Sequence, residues 1–180
     1  MQKNNRKHLV IFLDIDGVMN SAPFLTKHTT PYGIAIVGSM DGVEGIDPKA
    51  VDLLNTLVEE SGANIVISSS WRFGHTIITL QSIFNRLGFK FPERIIGSTS
   101  DLPGKSRGEE ISLWLKQVPV DAFIILDDDT DMKGVRDHHI KTDFNKGLLQ
   151  EHVTRALEMF KSQMDGGSDD HKGKAERQSS

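Results

Sequence analysis

The chain of 180 residues contains no cysteine, which excludes disulfide staples, thiolate nucleophiles and zinc–thiolate sites at once. Long apolar runs are missing as well. The run Leu9–Leu13 stops at Asp14, and nothing approaches the about 20 apolar residues that a membrane span needs. Lys3, Arg6 and Lys7 precede that run, but an apolar core that ends at Leu13 is too short for a secretion signal. A cytoplasmic protein is expected. No excess of basic charge is present either, since 21 basic and 25 acidic residues leave a net charge of -4. Bulk charge therefore does not favour strong sequence-independent nucleic-acid binding and leaves room only for a local basic groove. There is no internal repeat. The seven histidines show no paired metal-ligand spacing, and the adjacent His138 and His139 read as surface or loop residues.

The most informative stretch that is present is Leu9-Val-Ile-Phe-Leu-Asp-Ile-Asp-Gly-Val-Met-Asn20. An uninterrupted apolar run bounded by turn chemistry fits a strand buried on both faces of a parallel sheet. Ligands in open α/β sheets bind outside the carboxyl ends of strands. Asp14 and Asp16 therefore stand where a site belongs, and Gly17 lets the chain turn away after them. Two carboxylates at an apolar mouth repel and lose hydration, so they call for a cation. A hard, oxygen-seeking ion such as Mg²⁺ suits them, because it takes a few carboxylates and keeps waters for a phosphate-bearing ligand.

Strand and helix signals alternate along the rest of the chain. Residues 20–46, with Pro23, Pro31, Gly33, Gly38 and Gly42, read as a small flap or cap over the first strand, with one short strand at Ile34–Val37. Asp47-Pro48 opens a helix that Gly62 closes, and Ile65–Ile67 is a second buried strand. A helix follows with Leu80, Ile83, Phe84 and Leu87 on one face, then a weak strand at Ile95-Ile96 and a helix marked by Ile111, Trp114, Leu115 and Val118. Ala122–Leu126 is the fourth strand, 139–142 a short fifth, and a last helix begins near Gly147. This order predicts an α/β fold, a single three-layer Rossmann-like domain over residues 1–164 with a mostly parallel sheet. Residues 165–180 read as a disordered tail.

Four segments in order carry a resemblance: Asp14-Ile-Asp-Gly-Val18, the serines Ser68 to Ser70 after a strand, Arg107 opening a helix, and Asp127-Asp128 after a strand. Together they resemble the four motifs of the haloacid dehalogenase (HAD) superfamily of phosphohydrolases. More narrowly, Ile67-Ser-Ser-Ser-Trp-Arg72, Arg107-Gly-Glu-Glu-Ile-Ser-Leu-Trp-Leu115 and Leu126-Asp-Asp-Asp-Thr-Asp-Met132 are similar to the HAD domains of RNA-repair (Swiss Army Knife) proteins. The resemblance extends to about Gln163.

It implies Asp14 as the nucleophile that takes up the phosphoryl group and Asp16 as the general acid and base. Mg²⁺ is expected on Asp14, Asp127, Asp128 and the backbone carbonyl of Asp16. The family's phosphatases carry aspartate at the second position, whereas P-type pumps carry threonine, so Asp16 points to a phosphatase. Ser69 or Ser68 would bind the phosphoryl oxygens; alignment on Trp71 in the RNA-repair-like pattern favours Ser69, although Ser68 directly follows the apolar run. Arg107 or Lys105 would supply the cation, and Arg107 is preferred because it directly precedes Gly108 and the helix. Asp131 has the spacing of a further acid that orients Arg107 or the metal waters, while Asp143 matches the subfamily pattern without a derivable role. Trp71 reads as a packing residue, and Arg72 as a surface charge or a substrate contact. A calcium loop starting at Asp127 is excluded, because Met132 and His138 occupy the positions that need glycine and glutamate.

The expected activity is a Mg²⁺-dependent phosphatase on nucleic-acid ends or nucleotides. Its rivals are a phosphatase of small metabolites or phosphoproteins and a non-hydrolytic phosphoacceptor or phosphate-binding domain.

Overall fold

In the computed structural model, residues 7–28 and 45–166 are described. The apolar run forms strand β1 (Leu9–Leu13), and all its residues are buried. Leu9, Ile11 and Leu13 face one core, and Val10 and Phe12 the other. A strand with apolar side chains on both faces has to be covered on both, which only a central position in a layered sheet provides.

Helix α2 (Pro48–Ser61) starts where the Asp47 carboxylate accepts from Lys49 N and stops at Gly62, whose N–H donates to the Val58 carbonyl. Strand β2 (Asn64–Ile67), helix α3 (Ile77–Arg86) and strand β3 (Ile95–Ser98) follow. Helix α4 (Arg107–Gln117) opens with a reciprocal cap, in which the Ser106 hydroxyl accepts from Glu109 N and the Glu109 carboxylate accepts from Ser106 N. Strands β4 (Ala122–Asp127) and β5 (His139–Lys141) and helix α5 (Gln150–Gly166) complete the order. The sheet runs β3-β2-β1-β4-β5, and every pairing is parallel. Helices α2, α3 and α5 bury their apolar faces on the Leu9, Ile11 and Leu13 side, and α4 covers the other. There Phe12 meets the Trp114 ring edge-on at 5.3 Å. Each such buried side chain contributes about 1.5–3 kcal/mol.

Four expectations change. The stretch after Asn20 opens as a helix, α1 (Ala22–His28), because the Ser21 hydroxyl accepts from Phe24 N at 3.4 Å and Pro23 falls in the first turn, where proline is tolerated. The strand expected at Ile34–Val37 lies outside the described residues. The last helix begins at Gln150 rather than near Gly147, because Lys146 and Gly147 first close a turn onto the Asp143 carbonyl. It continues through Asp165 and Gly166, and the remainder of the expected tail lies outside the described residues. His138 and His139 are half-buried rather than superficial. The His138 ring stacks on Phe123 at 4.0 Å, and His139 Nε2 lies 2.9 Å from the Asp127 carbonyl. Burial lowers the His139 pKa.

The chain moves outward from β1 through β2 to β3, then crosses to β4 on the other side of β1. The crevice at which this order reverses lies between β1 and β4, at their carboxyl ends. Among the described residues, no helix is long and apolar enough to cross a membrane.

Candidate active site

The parallel ladder continues one residue past the strands, and that continuation sets the site. Asp14 N donates to the Leu126 carbonyl, Ser68 N to the Leu13 carbonyl and Thr142 N to the Asp127 carbonyl, each at 3.0 Å. The end of β1 is thereby held between the ends of β2 and β4. Carboxylate oxygens of Asp14, Asp127 and Asp128 all lie within 4.8 Å of one another. Gly17, at φ 76, passes so close to Asp128 that a Cβ there would stand 2.4 Å from its carboxyl carbon. Only glycine fits, since both the backbone angle and the space exclude a side chain.

Arg107 reaches this cluster from the first position of α4. Its Nη1 donates to Asp14 Oδ1 at 3.0 Å and to Asp127 Oδ2 at 2.8 Å. Gly108 makes that reach feasible. Its N–H donates to the Asp131 carbonyl, and a Cβ on it would lie 2.5 Å from backbone atoms of Met132 and Lys133. Lys105, the other candidate, is exposed and paired with Glu109 at 3.3 Å, away from the cluster.

The electrostatics are those of an acid-rich pocket with too little positive charge. Asp127 has a side chain only 1 % exposed. Burial pushes its pKa up to about 7, against the pull of Arg107 and with the help of the Asp14 charge. Asp128 is raised for the same first reason, burial, with Asp14 adding to it. Burial works against the Arg107 guanidinium, but Asp127 and Asp14 hold its pKa above the ordinary value. Three oxygen donors of this kind, with one guanidinium between them, suit a hard divalent cation. Asp14, Asp127 and Asp128 are the residues that would hold it.

Asp16 stands outside that cluster. Its two carboxylate oxygens are each taken by a side-chain N–H: Asn20 Nδ2 donates to Oδ1 at 2.8 Å, and Trp71 Nε1 to Oδ2 at 3.1 Å. Asn20 is itself fixed, because its Oδ1 accepts from Gly17 N and its Nδ2 also donates to the Gly45 carbonyl. Trp71 does pack against the core, as its type suggests, and stacks on His75 at 5.4 Å. Its hydrogen bond to Asp16 was not foreseeable from packing. Asn20 and Trp71 are thus site residues that reading along the chain missed. Asn20, four residues after Asp16, carries a local signal; Trp71 carries none beyond its place after β2.

Ser68 and Ser69 are both fully buried. The Ser69 hydroxyl caps the 3₁₀ turn Ser70–Phe73 by accepting from Trp71 N at 3.4 Å. The Ser68 hydroxyl has no partner among the described residues, which leaves it the freer of the two. Arg72 is neither a surface charge nor exposed to a substrate. Its side chain is 8 % exposed and forms an ion pair of 2.9 Å with Glu110, while Nη1 donates to the Ser68 and Ser69 carbonyls. Asp131 is exposed, and Arg107 is oriented by Asp14 and Asp127 rather than by it. Asp143 organises a turn: its Oδ1 accepts from Asn145 N at 2.8 Å, a bond that also lowers its pKa.

A family model described as the HAD domain in Swiss Army Knife RNA repair proteins matches residues 10–153. No curated protein matches the chain significantly.

Proposed function

The chain belongs to the HAD domain family of Swiss Army Knife RNA repair proteins, and from that premise we propose that it is a cytoplasmic, Mg²⁺-dependent phosphatase of nucleic-acid ends or nucleotides. The observation that carries the reading is the meeting of Asp14, Asp127 and Asp128 within 4.8 Å, with Arg107 donating to two of them. Aspartates at the mouth of a buried parallel sheet, neutralised from one side only, fit phosphoryl transfer. Catalysis there is mostly positioning and neutralisation of charge.

In the proposed reaction an Asp14 carboxylate oxygen attacks phosphorus and the bond to the leaving oxygen breaks, so that the phosphoryl group rests on Asp14. Asp16 gives a proton to the leaving oxygen. It then takes a proton from the water that attacks the acyl phosphate, which releases inorganic phosphate and restores both carboxyl groups. Arg107 keeps the Asp14 oxygen aimed and opposes the charge gathered there. Asn20 and Trp71 keep Asp16 in one orientation through both proton transfers. Bound Mg²⁺ would supply neutralisation of the phosphoryl oxygens. Ser68 and Ser69 are proposed as phosphoryl contacts, with the Ser68 hydroxyl the better placed to gain a partner.

The test is phosphate release from a 3′-phosphorylated oligonucleotide and from an aryl phosphate, side by side, with and without Mg²⁺. The expected result is faster turnover of the oligonucleotide, loss of release with chelator, and abolition by Asp14→Asn. An aryl phosphate turned over as fast as the oligonucleotide would point to small-metabolite or phosphoprotein substrates. A phosphorylated state of Asp14 that persists would overturn hydrolysis in favour of a phosphoacceptor domain.

A further inference from the structure

A cavity of about 490 Å³ opens directly beside Asp128, a size within the usual range for ligand pockets. Its walls are the end of β5, the loop that follows, and the first turn of α5, contributed by Lys141, Phe144, Lys146, Leu149 and His152. Resting on the phosphohydrolase reading above, we propose that this cavity seats the terminal nucleotides of a single-stranded nucleic acid whose end phosphate lies at Asp14.

The groove is fastened to the site by hydrogen bonds to the same loop that carries Asp16. Thr142 Oγ1 donates to the Gly17 carbonyl, Leu148 N to the Val18 carbonyl and Ala22 N to the Phe144 carbonyl, each at 2.8 Å. Its position relative to the aspartates is therefore built in, and a chain leaving the acidic cluster past Asp128 enters it directly.

The lining has the chemistry of a nucleic-acid strand. Lys141 and Lys146 are exposed and offer two ammonium groups for backbone phosphates, spaced along the turn. The amino end of the 17-residue helix α5 adds partial positive charge on the same side. Three acids share the wall: Asp128 belongs to the cluster that would hold the cation, and the charge of Asp143 is opposed by both lysines. Asp143 turns its Oδ1 into its own loop toward Asn145, and Glu151 lies 3.9 Å from His152 Nε2. Phe144 is 42 % exposed, on a turn between the two lysines, and belongs to neither core cluster. A large apolar ring kept in water at the rim of a charged groove matches the flat face of a base, and aromatic residues interleaved with cations are how single strands are held without reading sequence. A duplex end keeps its bases stacked on each other, whereas a splayed single strand has one to give Phe144. A small alkyl phosphate has no ring to offer it.

The experiment uses the full chain with Mg²⁺ and single-stranded oligoribonucleotides of increasing length, phosphorylated at the 3′ or the 5′ end, against a small alkyl phosphate. Wild type, Phe144→Ala and Lys141→Ala/Lys146→Ala are compared through the ratio of kcat/KM on oligonucleotide to that on alkyl phosphate. Phe144→Ala is expected to lower the ratio about tenfold, through KM. The double lysine variant is expected to lower it and to flatten its dependence on salt. Unchanged ratios in both variants would overturn the groove while leaving the phosphatase reading in place. Turnover of neither substrate would instead count against that reading. The groove is then decided by fluorescence anisotropy of a labelled, end-phosphorylated oligonucleotide on Asp14→Asn and on Asp14→Asn/Phe144→Ala. Weaker binding without Phe144 supports the groove; equal binding, or equal affinity for a blunt duplex, overturns it.

Discussion

Trp71 Nε1 lies 3.1 Å from Asp16 Oδ2, so a ring on the turn after β2 orients a carboxylate on the loop after β1. The other oxygen of that carboxylate is held by Asn20. In the proposed reaction Asp16 is the proton donor and has to face the leaving oxygen, and two fixed N–H groups remove the rotation that would turn it away.

Replacing Trp71 by phenylalanine keeps a packed ring and removes the donor. The loss in kcat/KM should be about tenfold on an alkyl phosphate, whose leaving oxygen needs its proton, and small on an aryl phosphate with a good leaving group. Steady-state rates on the two esters test this. Equal losses on both would assign Trp71 to packing alone.

Arg107→Met leaves Asp14, Asp127 and Asp128 without their guanidinium. The metal-free protein should lose about 2–3 kcal/mol, somewhat less than for a fully buried pair, because the Arg107 side chain is 22 % exposed. Urea unfolding in chelator measures this. The same comparison in excess Mg²⁺ should show a smaller difference, since a second cation then balances the acids.

The Asp127 pKa of about 7 gives a pH dependence with a definite sign. A carboxyl raised above its unfolded value contributes stability below the unfolded pKa of about 4 and loses it as pH rises through the folded value. Metal-free protein should therefore lose this contribution between about pH 4 and 7. Mg²⁺ competes with that proton, so the rise in Tm on adding Mg²⁺ should be larger at pH 8 than at pH 5.5. Thermal melts at both pH values, with Mg²⁺ or with chelator, decide it; an equal rise at both would contradict the assignment.

Gly108→Ala inserts a methyl group 2.5 Å from backbone atoms of Met132 and Lys133. Backbone cannot rotate away as a long side chain would, so a cost of about 1–3 kcal/mol is expected. The amino end of α4 must also lift, which carries Arg107 from Asp14. Activity at a temperature where the variant is fully folded should consequently fall as well.

The buried pair Arg72–Glu110 offers a test free of the metal. Glu110→Gln should destabilise by about 3 kcal/mol, because Arg72 keeps its charge in a buried place. Arg72→Met/Glu110→Leu should recover part of that, because Leu102 N loses its acceptor on Glu110 and the Ser68 and Ser69 carbonyls lose their donor on Arg72. Denaturant midpoints of wild type and the two variants measure both differences.

Much of this architecture is legible along the chain because its causes are local. Asp47-Pro48 and Gly62 bound α2 through groups within a few residues, and the apolar runs at 9–13 and 122–126 declare themselves as buried strands. The helix α1 was hidden because Pro23, read as a loop marker, also suits a first helical turn. His138 and His139 misled for a different reason. Their partners, the Phe123 ring and the Asp127 carbonyl, sit on another strand, and no spacing rule reaches across a sheet.

By itself the sequence determined the order of strands and helices, the absence of thiol chemistry, and which acids end the first and fourth strands. Those follow from side-chain type and short-range periodicity. Only the tertiary structure decided that Arg107 rather than Lys105 faces Asp14, that Arg72 is buried against Glu110, that Trp71 holds Asp16, and that Lys141, Phe144 and Lys146 line a groove beside Asp128. Each of these depends on which strand ends the parallel register brings together. That register is set by burial of both faces of β1, a property of the whole sheet.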